Sequence, residues 1–213
     1  MSNNESFSWE LFNSAPIVGI VRGVSIEVMR DIVKAYLKAG LHTIEITMNT
    51  PGATEIISKL RTEFHNLNVG AGTVCNMEDY NMAVKAGAQF IVTPIIDEAV
   101  IRSAVGQNIP IFPGGYSPTE IYKAWSLGAS AVKIFPATQL GVQFIKDISA
   151  PLNQIKLLPT GGVSLDNIKS FFEAGAVGVG MGSSLFDKKL IQERNFEGLA
   201  DHFAKVRMAV KGS

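Results

Sequence analysis

A single cysteine, Cys75, is all the thiol that this 213-residue sequence contains. An internal disulfide is therefore excluded, and nothing points to an oxidising compartment. Histidine is nearly as scarce, with only His42, His65 and His202 present. None stands at a metal-ligand spacing from Cys75 or from paired carboxylates, so neither a metal nor another cofactor is expected. Charge of one sign is lacking as well, because 19 Lys+Arg balance 19 Asp+Glu. Without a basic run, nucleic acid is not an expected partner. No apolar run approaches the roughly 20 residues that cross a bilayer, so no membrane partner is expected either. The opening MSNNESFSWE has no positive segment followed by an apolar one and does not read as a secretory signal. A soluble, cytoplasmic protein is the expectation.

Apolar residues and glycine are what the chain has in quantity. Hydrophobic residues make up 46% and charged residues 18%, which supplies a core and excludes a disordered chain. One domain over residues 1–213 is expected at this length. Four of the 20 glycines fall at matching places in KAGLHTIEI, KAGAQFIVT, SLGASAVKI and EAGAVGVGM. In each stretch a helix-like segment stops at Gly40, Gly87, Gly128 or Gly175, and a run of strand character follows. Glycine enters the left-handed region at a helix end without steric cost. The four glycines are 47, 41 and 47 residues apart, so each repeat is long enough for two βα units. Eight units are expected in all.

Eight strands can be read directly: Pro16–Arg22, Thr43–Asn49, Asn68–Val74, Phe90–Ile95, Pro110–Gly115, Ala131–Phe135, Lys156–Gly162 and Val177–Gly182. Helical periodicity lies between them. It is clearest where Met29, Ile32, Val33, Tyr36 and Leu37 share one face. Ser117-Pro118-Thr119-Glu120 reads as a capping box with proline at its first helical position. Thr50-Pro51 and Ser164 read as two further helix starts. Trp9–Ser14 reads as a short extra helix before the first strand, and Phe196–Val210 as the last helix. The pattern predicts an α/β fold, a compact (β/α)8 TIM barrel. Its rival is a doubly wound open sheet, usually of about five or six strands. The strand count disfavours that rival, and IVGIVRGVS after the first strand lacks a G-x-G-x-x-G turn.

In such a barrel the chemistry sits at the C-terminal ends of the strands. The second strand is unusual, because Thr43, Glu45, Thr47 and Asn49 alternate with Ile44, Ile46 and Met48. The apolar set must meet the helices, which turns Glu45 inward. A buried carboxylate is paired, neutralised or functional. In the sixth strand one lysine, Lys133, interrupts an apolar run, and the same alternation points it inward. Lys156 begins its strand and belongs at the opposite end. Burial depresses a lysine pKa and leaves neutral amine, which can attack a carbonyl. A purely structural Lys133–Glu45 ion pair is the alternative. Strands seven and eight end in Pro159-Thr160-Gly161-Gly162-Val163 and Gly180-Met181-Gly182-Ser183-Ser184. Loops at these places commonly cradle phosphate, although they can also be plain tight turns. Arg22 ends the first strand and is either a clamp for a carboxylate or phosphate or a surface arginine. Cys75 reads as a packed loop residue rather than a nucleophile.

Together GAGTV (Gly70–Val74), VTP (Val92–Pro94), VKIFPA (Val132–Ala137), PTGGVS (Pro159–Ser164) and the inward Glu45 resemble the class I aldolases of the 2-keto-3-deoxy-6-phosphogluconate and 4-hydroxy-2-oxoglutarate family. The resemblance runs from Pro16 to about Phe186, with each motif at its expected strand end. It implies a (β/α)8 barrel, a homotrimer, and metal-independent cleavage of a phosphorylated 2-keto acid to pyruvate and an aldehyde. Residue by residue, it makes Lys133 the Schiff-base lysine and Glu45 the general acid/base. Thr73 and Pro94 would line the pyruvate site with Phe135 packed beside them. Gly161, Gly162, Gly182, Ser183 and Ser184 would hold the phosphate.

One position departs from the pattern. Members acting on the gluconate substrate commonly carry arginine four residues after the glutamate, where this chain has Asn49. Asparagine offers no charged fork. Members acting on the galactonate epimer are more similar, and in them an arginine at the end of strand one, here Arg22, would take the carboxylate. Two other classes are weighed: a sugar-phosphate isomerase or epimerase barrel, and a non-catalytic barrel that binds a phosphorylated metabolite. The first needs a metal cluster or a second acid/base, and the second forms no covalent adduct.

Overall fold

The computed structural model describes residues 6–211. The segment 1–5, half of the stretch read above as no secretory signal, lies outside the described residues. The strands are β1 (Ile17–Val21), β2 (Thr43–Thr47), β3 (Asn68–Gly72), β4 (Ile91–Val92), β5 (Ile111–Phe112), β6 (Gly114–Gly115), β7 (Val132–Ile134), β8 (Leu157–Pro159) and β9 (Val179–Met181). The helices are α1 (Trp9–Ser14), α2 (Ile26–Lys38), α3 (Ala53–Glu63), α4 (Met77–Lys85), α5 (Glu98–Gly106), α6 (Pro118–Ser126), α7 (Ala137–Ser149), α8 (Ile168–Glu173), α9 (Lys188–Gln192) and α10 (Phe196–Lys211).

Strand pairing is parallel throughout. One sheet has the order β5-β4-β3-β2-β1-β9 and a second has the order β6-β7-β8. The result is a mixed α/β fold around a curled parallel sheet. The expected fifth strand is divided, because Pro113 separates β5 from β6. Proline has no N–H for a strand ladder, yet its carbonyl still accepts from the Lys133 N–H at 2.9 Å. An isolated parallel bridge joins Thr160 to Gly180, between β8 and β9.

Several expected element ends shift, each for a local reason. The fourth strand is only Ile91–Val92 rather than Phe90–Ile95, since the chain turns away at Pro94. Thr50 is not a helix cap. Helix α3 starts at Ala53 after Gly52, whose φ of 72° supplies the turn, and the Thr50 hydroxyl is used elsewhere. Ser164 likewise does not start α8 directly. A turn intervenes, in which Asn167 Oδ1 accepts from the Ser164 N–H at 2.9 Å, and the helix begins at Ile168. Helix α7 is broken at Gly141 (φ 71°), and the short α9 was not expected. The capping box at Ser117 and Glu120, with Pro118 behind it, forms as read.

Alternation along the strands separates two apolar layers. Ile44, Ile46, Val132 and Ile134 join Met29, Ile32, Val33 and Tyr36 in the larger core beneath the helices. The other strand face contributes Val18, Phe90, Val92, Phe112, Ala131 and Leu158 to a smaller cluster, completed by Phe7 and Phe12 around α1. Phe90 and Ala131 stand just before β4 and β7 and Val18 near the start of β1, and α1 closes this cluster with aromatic rings. Phe112 is 1% exposed, and its ring centroid lies 5.8–6.4 Å from those of Phe90, Phe12, Phe7 and Trp9. Phe112→Ala should therefore cost about 3–5 kcal/mol of unfolding free energy, measured by urea denaturation. A loss below about 1 kcal/mol would show that the seal carries no stability.

Candidate active site

Glu45 lies in the middle of β2, paired in register with Ile20 of β1 and Gly70 of β3. Its neighbours Ile44 and Ile46 belong to the helix-side core, so its carboxylate stands on the inner face, as alternation requires. Gly72 makes room for it: a Cβ there would lie 2.1 Å from Glu45 Oε1. Glu45 is 2% exposed and its Oε2 has no hydrogen-bond partner. Burial pushes the carboxyl up to about 7, against the pull of Lys133 and Arg22.

Lys133 reaches the same interior from β7, between Gly114 and Leu158 in register. It is 6% exposed, and its Nζ lies 4.5 Å from the centroid of the Phe135 ring. Burial holds its pKa below the ordinary lysine value. Glu45 and Cys75 oppose that shift, and Arg22 adds to it. Glu45 and Lys133 are coupled through space, but no direct hydrogen bond or ion pair joins them. The structural ion pair weighed from sequence is thus not formed. Burial acts with opposite sign on the two groups and drives both toward neutrality. An amine and a carboxyl each shifted toward its neutral form are suited to attack on a carbonyl followed by proton transfer.

Arg22 follows β1 and is exposed, yet it acts electrostatically on both Glu45 and Lys133. Asn49 is exposed in the turn after β2. The loops carrying Arg22 and Asn49 are tied together by Thr50, a residue the sequence reading assigned to a helix cap. Its buried hydroxyl accepts from the Gly23 N–H at 3.0 Å and pairs with Thr47 Oγ1 at 3.0 Å. Thr73 has φ 55°, an outlier for a β-branched residue and of the kind held at functional sites. Its carbonyl accepts from Cys75 Sγ at 3.5 Å. Burial and Asp79 push the Cys75 thiol up, which fits a packed loop residue rather than a nucleophile. Pro94 and Phe135 share the wall of a cavity of about 350 Å³ with Ile95, Gly114 and Tyr116; neither Lys133 nor Glu45 lines it.

The two glycine-bearing loops come together. Gly161 and Gly162 have φ of 89° and 75°, and a Cβ at Gly162 would lie 2.0 Å from Thr138 Cγ2. A Cβ at Gly161 would sit 3.6 Å from the Phe135 ring, so this loop borders the lysine. The next loop turns at Gly182, whose carbonyl accepts from the Leu185 and Phe186 N–H groups at 2.9 Å. Ser184 Oγ donates to the Val163 carbonyl at 2.5 Å and joins the loops, while Ser183 remains exposed. Helix α8 has six residues and begins well past Ser164, so the case for an anion here rests on the left-handed glycines. Among the described residues, no three His, Cys, Asp or Glu side chains gather where a metal ion could be held.

A lysine and a carboxylate buried on strands of two parallel sheets, beside two joined glycine loops, make a candidate site for carbonyl chemistry. The chain belongs to the KDPG and KHG aldolase family, whose pattern matches residues 10–201. It is 34% identical over 198 residues to the 2-dehydro-3-deoxy-6-phosphogalactonate aldolase of Escherichia coli (strain K12), a match covering 92% of this chain and 97% of that one. It resembles a solved native KDPGal structure with a TM-score of 0.87 and 31% identity, covering 98% of both chains. The KDPG aldolase of Legionella pneumophila, solved with pyruvate captured as a covalent carbinolamine, matches with a TM-score of 0.86 and 27% identity, covering 92% and 96%.

The Glu45 shift also sets a pH dependence of stability. Raising its pKa from 4.5 to about 7 on folding makes the native state bind more protons in that interval. Its contribution is fully present below the unfolded value and is lost as pH rises through the folded one. Glu45→Gln should therefore gain about 2–3 kcal/mol on the wild type between pH 5 and pH 8, as measured by urea denaturation at both pH values. Parallel behaviour of the two proteins would show that Glu45 is not desolvated.

Proposed function

We propose that this chain is a class I, Schiff-base lyase that cleaves 2-keto-3-deoxy-6-phospho sugar acids to pyruvate and glyceraldehyde 3-phosphate. By the same chemistry it cleaves 4-hydroxy-2-oxoglutarate to pyruvate and glyoxylate. The observation that carries this reading is a buried Lys133, its pKa held down by burial, in electrostatic reach of the buried Glu45 carboxyl, in a chain of the aldolase family. The carbinolamine captured in the Legionella pneumophila relative supports covalent catalysis by an amine.

The neutral Lys133 amine adds to the C2 carbonyl carbon, and its N–C bond forms as the carbonyl oxygen takes a proton. Glu45 in its acid form, directly or through a water, protonates the resulting hydroxyl, which leaves as water. The protonated Schiff base withdraws electrons from C3–C4. The Glu45 carboxylate takes the proton of the C4 hydroxyl, C3–C4 breaks, and its electron pair flows into an enamine as the aldehyde departs. Protonation at C3 and addition of water then release pyruvate and restore Lys133. The Phe135 ring at 4.5 Å from Nζ offers its negative face to the cationic intermediate. Thr73 and Pro94 are assigned to the pyruvate end. Gly161, Gly162, Gly182, Ser183 and Ser184 are assigned to the phosphate. Arg22 takes the keto-acid carboxylate. Asn49, where the gluconate-type members have arginine, favours the galactonate epimer.

The same reading includes a closed eight-stranded barrel, one domain over residues 1–213 and a homotrimer. Two observations support closure: β5 and β6 flank a single proline, and the Thr160–Gly180 bridge lies between β8 and β9.

Incubation with pyruvate and borohydride should leave a reduced pyruvyl adduct on Lys133, located by mass spectrometry, and none on Lys156. Folded protein without the adduct would remove the Schiff-base mechanism. Arg22→Ala should raise the Michaelis constant for phosphorylated and unphosphorylated substrates alike, by roughly ten- to a hundredfold for a lost charge-assisted pair. Ser184→Asp should raise it mainly for phosphorylated ones, since it sets a negative charge against the phosphate. Steady-state kinetics on both substrate types decide the matter. If Arg22→Ala harms only phosphorylated substrates, Arg22 is a phosphate ligand.

A further inference from the structure

His202 takes no part in the chemistry above, and the sequence showed it only as one residue of the last helix. In the structure it is half-buried on α10, and its Nε2 lies 2.9 Å from the Ser184 carbonyl oxygen. A carbonyl only accepts, so the Nε2 proton is donated to it. The same residue, Ser184, donates its hydroxyl to the Val163 carbonyl. Ser184 is thus held from both sides, by α10 and by the loop after β8. The turn around it is otherwise fixed by the bonds from Leu185 and Phe186 to the Gly182 carbonyl. Leu185 and Phe186 are buried, and the Phe186 ring stacks on Tyr36 at 6.0 Å. The C-terminal half of this turn is anchored in the core, whereas Gly182 and Ser183 are the part left open.

We infer that His202 is a positioning residue for the phosphate end of the substrate, acting by fixing the Ser184 peptide and with it the backbone of the Gly182–Ser184 turn. The inference rests on assigning that turn to phosphate, as proposed above. Backbone N–H groups bind an anion well only when they are oriented before it arrives, so loosening one peptide weakens the cradle without touching the reacting carbon. The pyruvate end, built on Lys133 and Glu45 in other strands, is not linked to α10 by this bond.

The test compares His202→Leu, which removes the donor at similar bulk, with His202→Gln, which keeps an N–H donor of similar reach. For His202→Leu, the Michaelis constant for the phosphorylated substrate should rise about three- to tenfold, the size of one lost hydrogen bond. Its turnover number, and the constants for 4-hydroxy-2-oxoglutarate, should stay within about twofold, and His202→Gln should recover most of the loss. A folded Leu variant with an unchanged constant for the phosphorylated substrate overturns the inference. Equal losses on both substrates also overturn it, because they mark a merely structural residue. Competition by glycerol phosphate in the wild type separates the role of the turn from that of His202. If glycerol phosphate fails to compete, the phosphate assignment itself falls. If it competes equally well in both variants and the wild type, only the role of His202 falls.

Discussion

Desolvation of two opposite titratable groups, one on each of the two parallel sheets, is the constraint on which the rest depends. Glu45 and Lys133 are both almost wholly withdrawn from water, and no direct bond compensates either one. Such burial is unfavourable for each charged form and is tolerated because each group can become neutral. That is also what the chemistry needs, since a nucleophilic amine must lack its proton and a general acid must hold one. Much of the surrounding sequence serves this burial. Gly72 vacates the volume the carboxylate fills, Gly114 lies opposite Lys133 in register, and the Phe135 ring covers the amine.

The fold divides its labour along the strand axis. Around Val18, Phe90, Phe112 and Ala131 the strands meet α1 in a seal of aromatic rings, and the loops after β1, β2, β8 and β9 carry polar groups and glycine turns. Parallel strands make this division natural, because every strand ends on the same side. Loops then join around the site in pairs. Thr50 ties the turn after β1 to the turn after β2, and Ser184 ties the loop after β9 to the loop after β8. These hydroxyls hold loop backbones in place beside the proposed reacting groups.

Membership of the KDPG and KHG aldolase family agrees with this construction. The groups proposed to form and break bonds lie on strands, where register fixes their direction. Arg22 and Asn49 lie just beyond strand ends and are exposed, so the sheet does not depend on them.

Alternation along β2 and β7 was enough to determine from sequence which faces Glu45 and Lys133 occupy, since a period of two leaves one choice once Ile44, Ile46, Val132 and Ile134 are given to the helices. Local chemistry also determined the Ser117 capping box and the glycine stops at Gly40, Gly87, Gly128 and Gly175, each of which has positive φ. Tertiary structure alone decided the roles of Thr50, Gly72 and His202. Thr50 meets Gly23, and Gly72 meets Glu45, in each case 27 residues away, and the partner of His202 lies on a different element. A hydroxyl before Pro51 looks like a helix cap until the turn after β1 arrives to use it. The break at Pro113 was visible as a residue but not as an event, because a strand is interrupted only when a neighbour requires the missing N–H. Pattern along the chain sets which way a side chain points, and only the assembled sheet sets what it meets there.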